Sequence, residues 1–193
     1  MTTHASWDFD EYTGYLTFPV PGSNENDHEH ERFVYVCDTK DPESIKRRAN
    51  ILSFIDRFTV AMQKYAKKHK HDNKCWRLFS ETDHTFYELR PNSKFRGVNK
   101  PKNVHKCSHA KDCIGVDGLL RAHNRYVFLV IPDSLKEFSD LYCHEITHTL
   151  CNHVRFRVDD HHGNEPHDFP QCQKDVRRTS HHLGFGKHLK SVW

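Results

Sequence analysis

The chain lacks the long apolar segment that a membrane-spanning helix requires. Its longest apolar run is Tyr126–Pro132, whereas a helix that crosses a bilayer needs about 20 consecutive apolar residues. The opening residues, Met1–His4, show no basic segment followed by an apolar one, so the pattern of a secretory signal is also missing. From these absences we expect an intracellular protein, in the cytoplasm or nucleus, that is not secreted and has no membrane partner.

The chain also lacks a paired cysteine framework. Its seven cysteines are an odd number without regular spacing, which predicts free thiols in a reducing compartment rather than disulfides. One Lys-rich stretch gathers His105, Cys107, His109 and Cys113. Their spacing does not follow the paired pattern of a structural zinc site. A mobile basic loop is the favoured interpretation, and a second metal site is the alternative.

Residues 1–31 contain no lysine or arginine, but they carry seven carboxylates. The remaining 162 residues hold 29 basic and 19 acidic side chains, a net charge of +10. We interpret residues 1–31 as an acidic arm whose interleaved aromatic residues can hold a protein partner, and residues 32–193 as one domain. The basic body predicts a surface that can contact nucleic acid. A solvated surface with a flexible arm is the alternative.

Hydrophobic periodicity predicts an α+β fold, with a long N-terminal helix, a small and mostly antiparallel sheet, the helix that carries the candidate site, and a C-terminal helix. The residues Ser134 to Glu137 match a capping box at the start of the helix that carries the candidate site. The expected helices run from Pro42 to about Lys68, from Leu135 to His153, and onward from about Asp168; the expected strands are Phe33–Cys37, Trp76–Phe79, Phe86–Leu89, Phe95–Asn99, Gly115–Arg121 and Arg125–Ile131.

One pentad combines residues suited to metal chemistry, His144-Glu145-Ile146-Thr147-His148. Residues four apart share one face of a helix, so the imidazoles of His144 and His148 are expected to converge on one point. In this HExxH pattern two histidines bind Zn²⁺ and the glutamate acts as general base toward water. A chance match is the alternative, because the chain holds 18 histidines. The helical context favours a Zn²⁺ site, with His144 and His148 as ligands and Glu145 as the catalytic residue.

A catalytic zinc site usually has three protein ligands, so a third is expected downstream of the helix. The candidates there are His153, His161, His162, Glu165 and His167. His153 is out of phase with the other two ligands and would serve only if the helix broke before it. A ligand on the segment that returns toward the last helix would close the site.

Residues 144–152, followed by 159–163 and Asp168-Phe169, resemble the WLM and SprT/Spartan-like metallopeptidases. Residues 97–102 and the strand at 126–131 also resemble the WLM-type proteins of large DNA viruses. The resemblance covers residues 33–185, and HExxH is its specific part. It implies a compact zincin-like domain that hydrolyses peptide bonds, with proteins held on DNA as the suggested substrates.

The resemblance also implies a third ligand. In the family a histidine in a short His-Gly segment precedes the last helix, and His162 followed by Gly163 is the best match. This chain departs from the pattern because residues 164–167 separate that segment from Asp168-Phe169. His167 is therefore an alternative to His162, and His161 and Glu165 also remain open.

These observations leave three function classes. The first is a zinc metallopeptidase that acts on a protein or peptide, with an edge strand at 126–131 or 95–99 that pairs with the substrate backbone. The second is a catalytically weak or inactive protein of zincin fold, for instance a virion component, that holds a partner through residues 1–31. The third is a nucleic-acid-binding module that uses residues 64–113 and a basic tail. This tail consists of Arg177, Arg178, His181, His182, Lys187, His188 and Lys190.

Overall fold

A computed structural model describes residues 14–22, 31–69, 76, 79–101, 124–151 and 169–193. Its elements follow in chain order as β1 (Tyr15–Pro19), β2 (Phe33–Cys37), α1 (Pro42–His69), β3 (Asp83–Glu88), β4 (Gly97–Pro101), β5 (Asn124–Leu129), α2 (Leu135–Cys151), α3 (Phe169–His182) and α4 (Phe185–Lys190). The predicted α+β class is confirmed. Among these described residues, none of the helices combines the length and the apolar character that crossing a bilayer requires.

The long helix α1 begins at Pro42, where the missing N–H of proline removes no helical hydrogen bond. Asp41 caps it, because its Oδ1 accepts the backbone N–H of Glu43 at 3.2 Å. Apolar residues at helical spacing, among them Leu52 and Ile55, have no exposed surface. The predicted helix from Pro42 to about Lys68 is therefore confirmed.

The sheet has the strand order β1-β2-β3-β5-β4. Strands β1 and β2 pair antiparallel, as do β4 and β5, whereas β3 pairs parallel with both β2 and β5. The expectation of a mostly antiparallel sheet is not confirmed, because two of these four pairings are parallel. For β2 and β3 the physical reason is that α1 returns the chain across the sheet between them, and such a crossover joins parallel strands. Strand β5 is parallel to β3 because it lies between β3 and β4 and pairs antiparallel with β4.

The strand order also decides between the two predicted edge strands. Strand β5 lies between β3 and β4, so the prediction of an edge at residues 126–131 is wrong. Strand β4 is the edge of the sheet in the described part of the chain, which agrees with the alternative at residues 95–99. The other edge is β1, which lies within residues 1–31, the predicted acidic arm.

The predicted strand at Trp76–Phe79 is wrong, because both of these residues are helical. Residues three apart share one face of a helix. The rings of Trp76 and Phe79 accordingly lie 5.9 Å apart, and Trp76 packs edge-on against Tyr65 near the end of α1. The predicted strand at residues 115–121 lies outside the described residues.

Successive strand residues face opposite sides of the sheet, and the two sides differ. One side packs against α1 and α2 and supplies Val34, Val36, Phe86, Val127 and Leu129 to the main core. The other side carries a ladder of aromatic rings in which Tyr87 stacks on Tyr35 at 4.4 Å and on Phe128 at 4.7 Å. Helix α2 lies on the first side, over β4 and β5.

Candidate metal centre

Helix α2 carries the pentad, and the side chain of Ser134 caps its start. The Oγ of Ser134 accepts the backbone N–H of Glu137 at 3.2 Å. Four residues at helical spacing form its fully buried inner stripe: Phe138, Tyr142, Ile146 and Leu150. Because this stripe faces the core, His144 and His148 lie on the flank of the helix, exposed and half-buried respectively.

The two imidazoles converge as predicted. The Nε2 atoms of His144 and His148 are 3.2 Å apart, and the ring planes are inclined at 83°. One ring nitrogen of each histidine and a carboxylate oxygen of Glu145 lie within 4.8 Å of one another. In the described part of the chain, this is the one cluster of His, Cys, Asp and Glu that could hold a metal ion.

Phe169, the first residue of α3, packs against both histidines. Its ring centroid lies 5.2 Å from that of His144 and 5.0 Å from that of His148. One aromatic ring therefore contacts both imidazoles. Although His144 is exposed on one side, the protein atoms around its ring remove part of its hydration and so lower its pKa, and the positive charge of Arg177 lowers it further. Both influences favour the neutral imidazole, which is the form that binds metals.

Glu145 has 4% of its surface exposed, although it neighbours an exposed histidine. Burial raises the pKa of its carboxyl to about 8, and the positive charge of Arg125 opposes that rise. Arg125, at the start of β5, is itself 1% exposed. Burial lowers the pKa of Arg125 to about 10, and the charge of Glu145 opposes this change. The ionised form of each group therefore stabilises the ionised form of the other, whereas burial disfavours both.

A chain of hydrogen bonds ties the pentad to the sheet. The Nε of Arg125 donates to Oδ1 of Asn99 at 2.6 Å. The Nδ2 of Asn99 donates in turn to the backbone oxygen of Glu145 at 2.6 Å and to Oγ1 of Thr149 at 2.8 Å. Oγ1 of Thr149 also lies 2.9 Å from Nε2 of His84. Strands β3 and β4 thus each supply a buried polar side chain to one turn of α2, and β5 supplies Arg125 to the same network. None of them was predicted as a site residue.

A groove of about 450 Å³ opens beside His144. It lies between α2 and α3 and is lined by Ser134, Lys136, Glu137, Asp140, Leu141, His144, Gln173 and Arg177. Both carboxylates in this lining are in ion pairs, Asp140 with Arg177 at 2.8 Å and Glu137 with Arg96. The groove offers space for a bound chain next to the histidine pair.

Every predicted third ligand lies outside the described residues: His153, His161, His162, Glu165 and His167. The second candidate cluster, His105, Cys107, His109 and Cys113, lies outside them as well. The choice among these ligands therefore stays a prediction.

Comparison with known proteins gives no relative from which a function can be transferred. No family model, no curated protein and no solved structure matches the chain.

Proposed function

We propose that the chain is a zinc-dependent peptidase with a zincin-like fold. The observation that carries this proposal is the 3.2 Å separation of the Nε2 atoms of His144 and His148, with the buried carboxylate of Glu145 beside them. A helix laid over the antiparallel edge of a mixed sheet supports the fold assignment.

The donor set fits zinc. Two nitrogens bound to one tetrahedral Zn²⁺ at about 2.0–2.1 Å lie roughly 3.4 Å apart, which is close to the observed 3.2 Å. A catalytic site needs a further protein ligand, and we assign that role to His162, with His167, His161 and Glu165 as alternatives. Zinc in such a site polarises a carbonyl group and lowers the pKa of water.

Glu145 is the proposed general acid–base residue. Its carboxylate would take a proton from the attacking water and later pass that proton to the nitrogen of the leaving amine. Its burial keeps bulk water away from the carboxylate, and Asn99 holds its backbone oxygen. The bond from Asn99 fixes the backbone of Glu145, within the helical turn that carries both imidazoles, relative to β4.

Strand β4 is the proposed binding site for the substrate backbone. The N–H of Val130 donates to the oxygen of Arg96 at 3.0 Å, so Arg96 directs its backbone groups toward the β5 side. In an antiparallel pair this direction alternates, and Gly97 and Asn99 therefore direct theirs toward the outer edge. An extended peptide that paired with these groups would pass beside Glu145. Its flanking residues could enter the groove next to His144.

The test measures zinc content and proteolysis in the same samples of the full chain. Wild type is expected to contain zinc and to cleave an unfolded protein such as denatured casein, or a protein bound to DNA. Glu145→Gln should keep its zinc and lose at least about 100-fold in cleavage rate, because a proton-transfer group contributes that much. Glu43→Gln changes an exposed glutamate in the first turn of α1 and should cleave like wild type.

The metal is tested by a second pair of variants. His148→Ala should contain no zinc, whereas His181→Ala, which changes an exposed histidine on α3, should retain it. Wild type without zinc would overturn the proposal. Zinc-loaded wild type that cleaves none of these substrates would instead favour the non-enzymatic protein of similar fold.

A further inference from the structure

We propose that Gly97, at the start of β4, is a positioning residue for Glu145. The carboxylate of Glu145 occupies the space that a side chain at position 97 would need. The role of Gly97 in the reaction rests on the proposed function, whereas its contact with Glu145 rests on packing alone.

The contact is close enough to exclude any larger residue in the present arrangement. A Cβ atom on Gly97 would lie 2.5 Å from Oε1 of Glu145 and 2.9 Å from its Cδ and Cγ. The two carbon–carbon distances are far below the 3.5–4.0 Å at which non-bonded carbon atoms attract each other, and the distance to Oε1 is shorter still.

Backbone conformation does not account for the glycine. Positive φ angles, which favour glycine, occur at Gly14, Gly22 and Gly184 in the described residues, and Gly97 is not among them. Gly97 instead pairs in ordinary antiparallel register with Leu129. Space for the carboxylate is therefore the reason that the structure gives for glycine at this position.

The strand cannot easily move away to relieve a clash. Two residues along β4, Asn99 donates to the backbone oxygen of Glu145 and to Thr149, so strand and helix are joined at that point. The side chain of Glu145 is the more mobile partner. A methyl group at position 97 would therefore displace the carboxylate from the histidine pair while the chain still folds.

The first experiment compares Gly97→Ala with Gly186→Ala. Gly186, in α4, has no atom within 4 Å of its Cβ position, so it is the matched control. Gly97→Ala should lower kcat by about 10- to 100-fold, the cost of misplacing a catalytic group by about 1 Å. Its KM and zinc content should stay close to those of wild type, and Gly186→Ala should match wild type in all three. An unchanged kcat in Gly97→Ala would overturn the proposal.

The second experiment tests the contact without using activity. Glu145→Asp shortens the side chain and makes room for a methyl group, so its effect on the Tm should depend on position 97. In the wild-type background we expect Glu145→Asp to lower the Tm; in Gly97→Ala we expect no change or an increase, a difference of about 2–6 °C. Equal Tm changes in both backgrounds would overturn the contact. Because this cycle needs no substrate, it still decides the matter if wild type proves to be no peptidase.

Discussion

The Nε2 atom of His84 lies 2.9 Å from Oγ1 of Thr149 and so joins β3 to the turn of α2 that follows the pentad. His84 is 8% exposed, and its Nδ1 has no hydrogen-bond partner among the described residues. Burial, assisted by the charge of Arg125, lowers the pKa of His84 from 6.5 to about 3. The folded protein therefore contains a neutral imidazole directly beneath its candidate metal site.

This histidine predicts that the folded state loses stability in acid. Below pH 6.5 the unfolded chain binds a proton at His84, whereas the folded chain does not until about pH 3. The neutral His84 therefore makes its full contribution to the free energy of unfolding above pH 6.5. That contribution is lost as the pH falls from 6.5 toward about 3, at up to about 1.4 kcal/mol per pH unit.

Replacement of His84 by a residue that does not titrate should reduce this dependence. Urea unfolding of wild type and His84→Gln between about pH 7.5 and about pH 5 measures the difference, since the other titrating groups are common to both proteins. His84→Gln should lose less stability over that range. Parallel pH profiles for the two proteins would contradict the assignment of a neutral, buried His84.

Asn99 should be one of the most sensitive polar residues in the chain. Asn99→Ala removes the acceptor for Arg125 and the donor to Thr149, and it leaves both of these groups buried without that partner. The free energy of unfolding should fall by about 2–4 kcal/mol. Asn50→Ala, at an exposed position on α1, is the control and should stay within about 0.5 kcal/mol of wild type. Urea midpoints at constant m-value provide the measurement.

Phe169 should support metal affinity without being a ligand. Its ring contacts both imidazoles, so Phe169→Ala frees them to rotate away from a shared ion. Zinc affinity, measured by competition with a chelator, should fall about 10-fold, at the low end of what loss of an orienting neighbour costs. Phe33→Ala alters a more exposed phenylalanine on β2 and should leave the affinity unchanged. Equal affinities for the two variants would show that Phe169 only fills space.

Truncation should separate two parts of the acidic segment. Removal of residues 1–13 leaves every described element in place, so we expect the Tm to change little. Removal of residues 1–22 also deletes β1, which pairs with β2 along five residues. That deletion would expose the edge of β2, and we expect a lower Tm and aggregation. Light scattering and thermal melts of the two truncated chains distinguish these outcomes.

Much of the helical structure and the centre of the site could be predicted because the signals are local. The spacing of His144 and His148, the capping box at Ser134 and the apolar stripe of α1 each follow from one helical period. A site composed of neighbours in the sequence needs no knowledge of the fold. This is why the pair of imidazoles was predicted and the convergence of their nitrogens is observed.

The surroundings of the site could not be predicted in the same way. Asn99 and Arg125 are polar residues of the kind usually found on surfaces, and their burial depends on strands that pair across long stretches of sequence. Gly97 belonged to a predicted edge strand and to a stretch that resembles known sequences, but neither signal indicated its contact with Glu145. Strand order likewise depends on long-range pairing, so hydrophobic alternation did not reveal that β3 runs parallel to its neighbours.

The parallel pairing of β3 with β5 has a consequence for when the site can form. Residues about forty positions apart must meet before His84 and Arg125 both lie under α2. An isolated peptide spanning the pentad would have the histidines but none of this support. High affinity for a metal ion is therefore expected to require the assembled sheet. In the folded protein, hydrogen exchange at the amides of residues 144–149 should slow to the rate set by global unfolding.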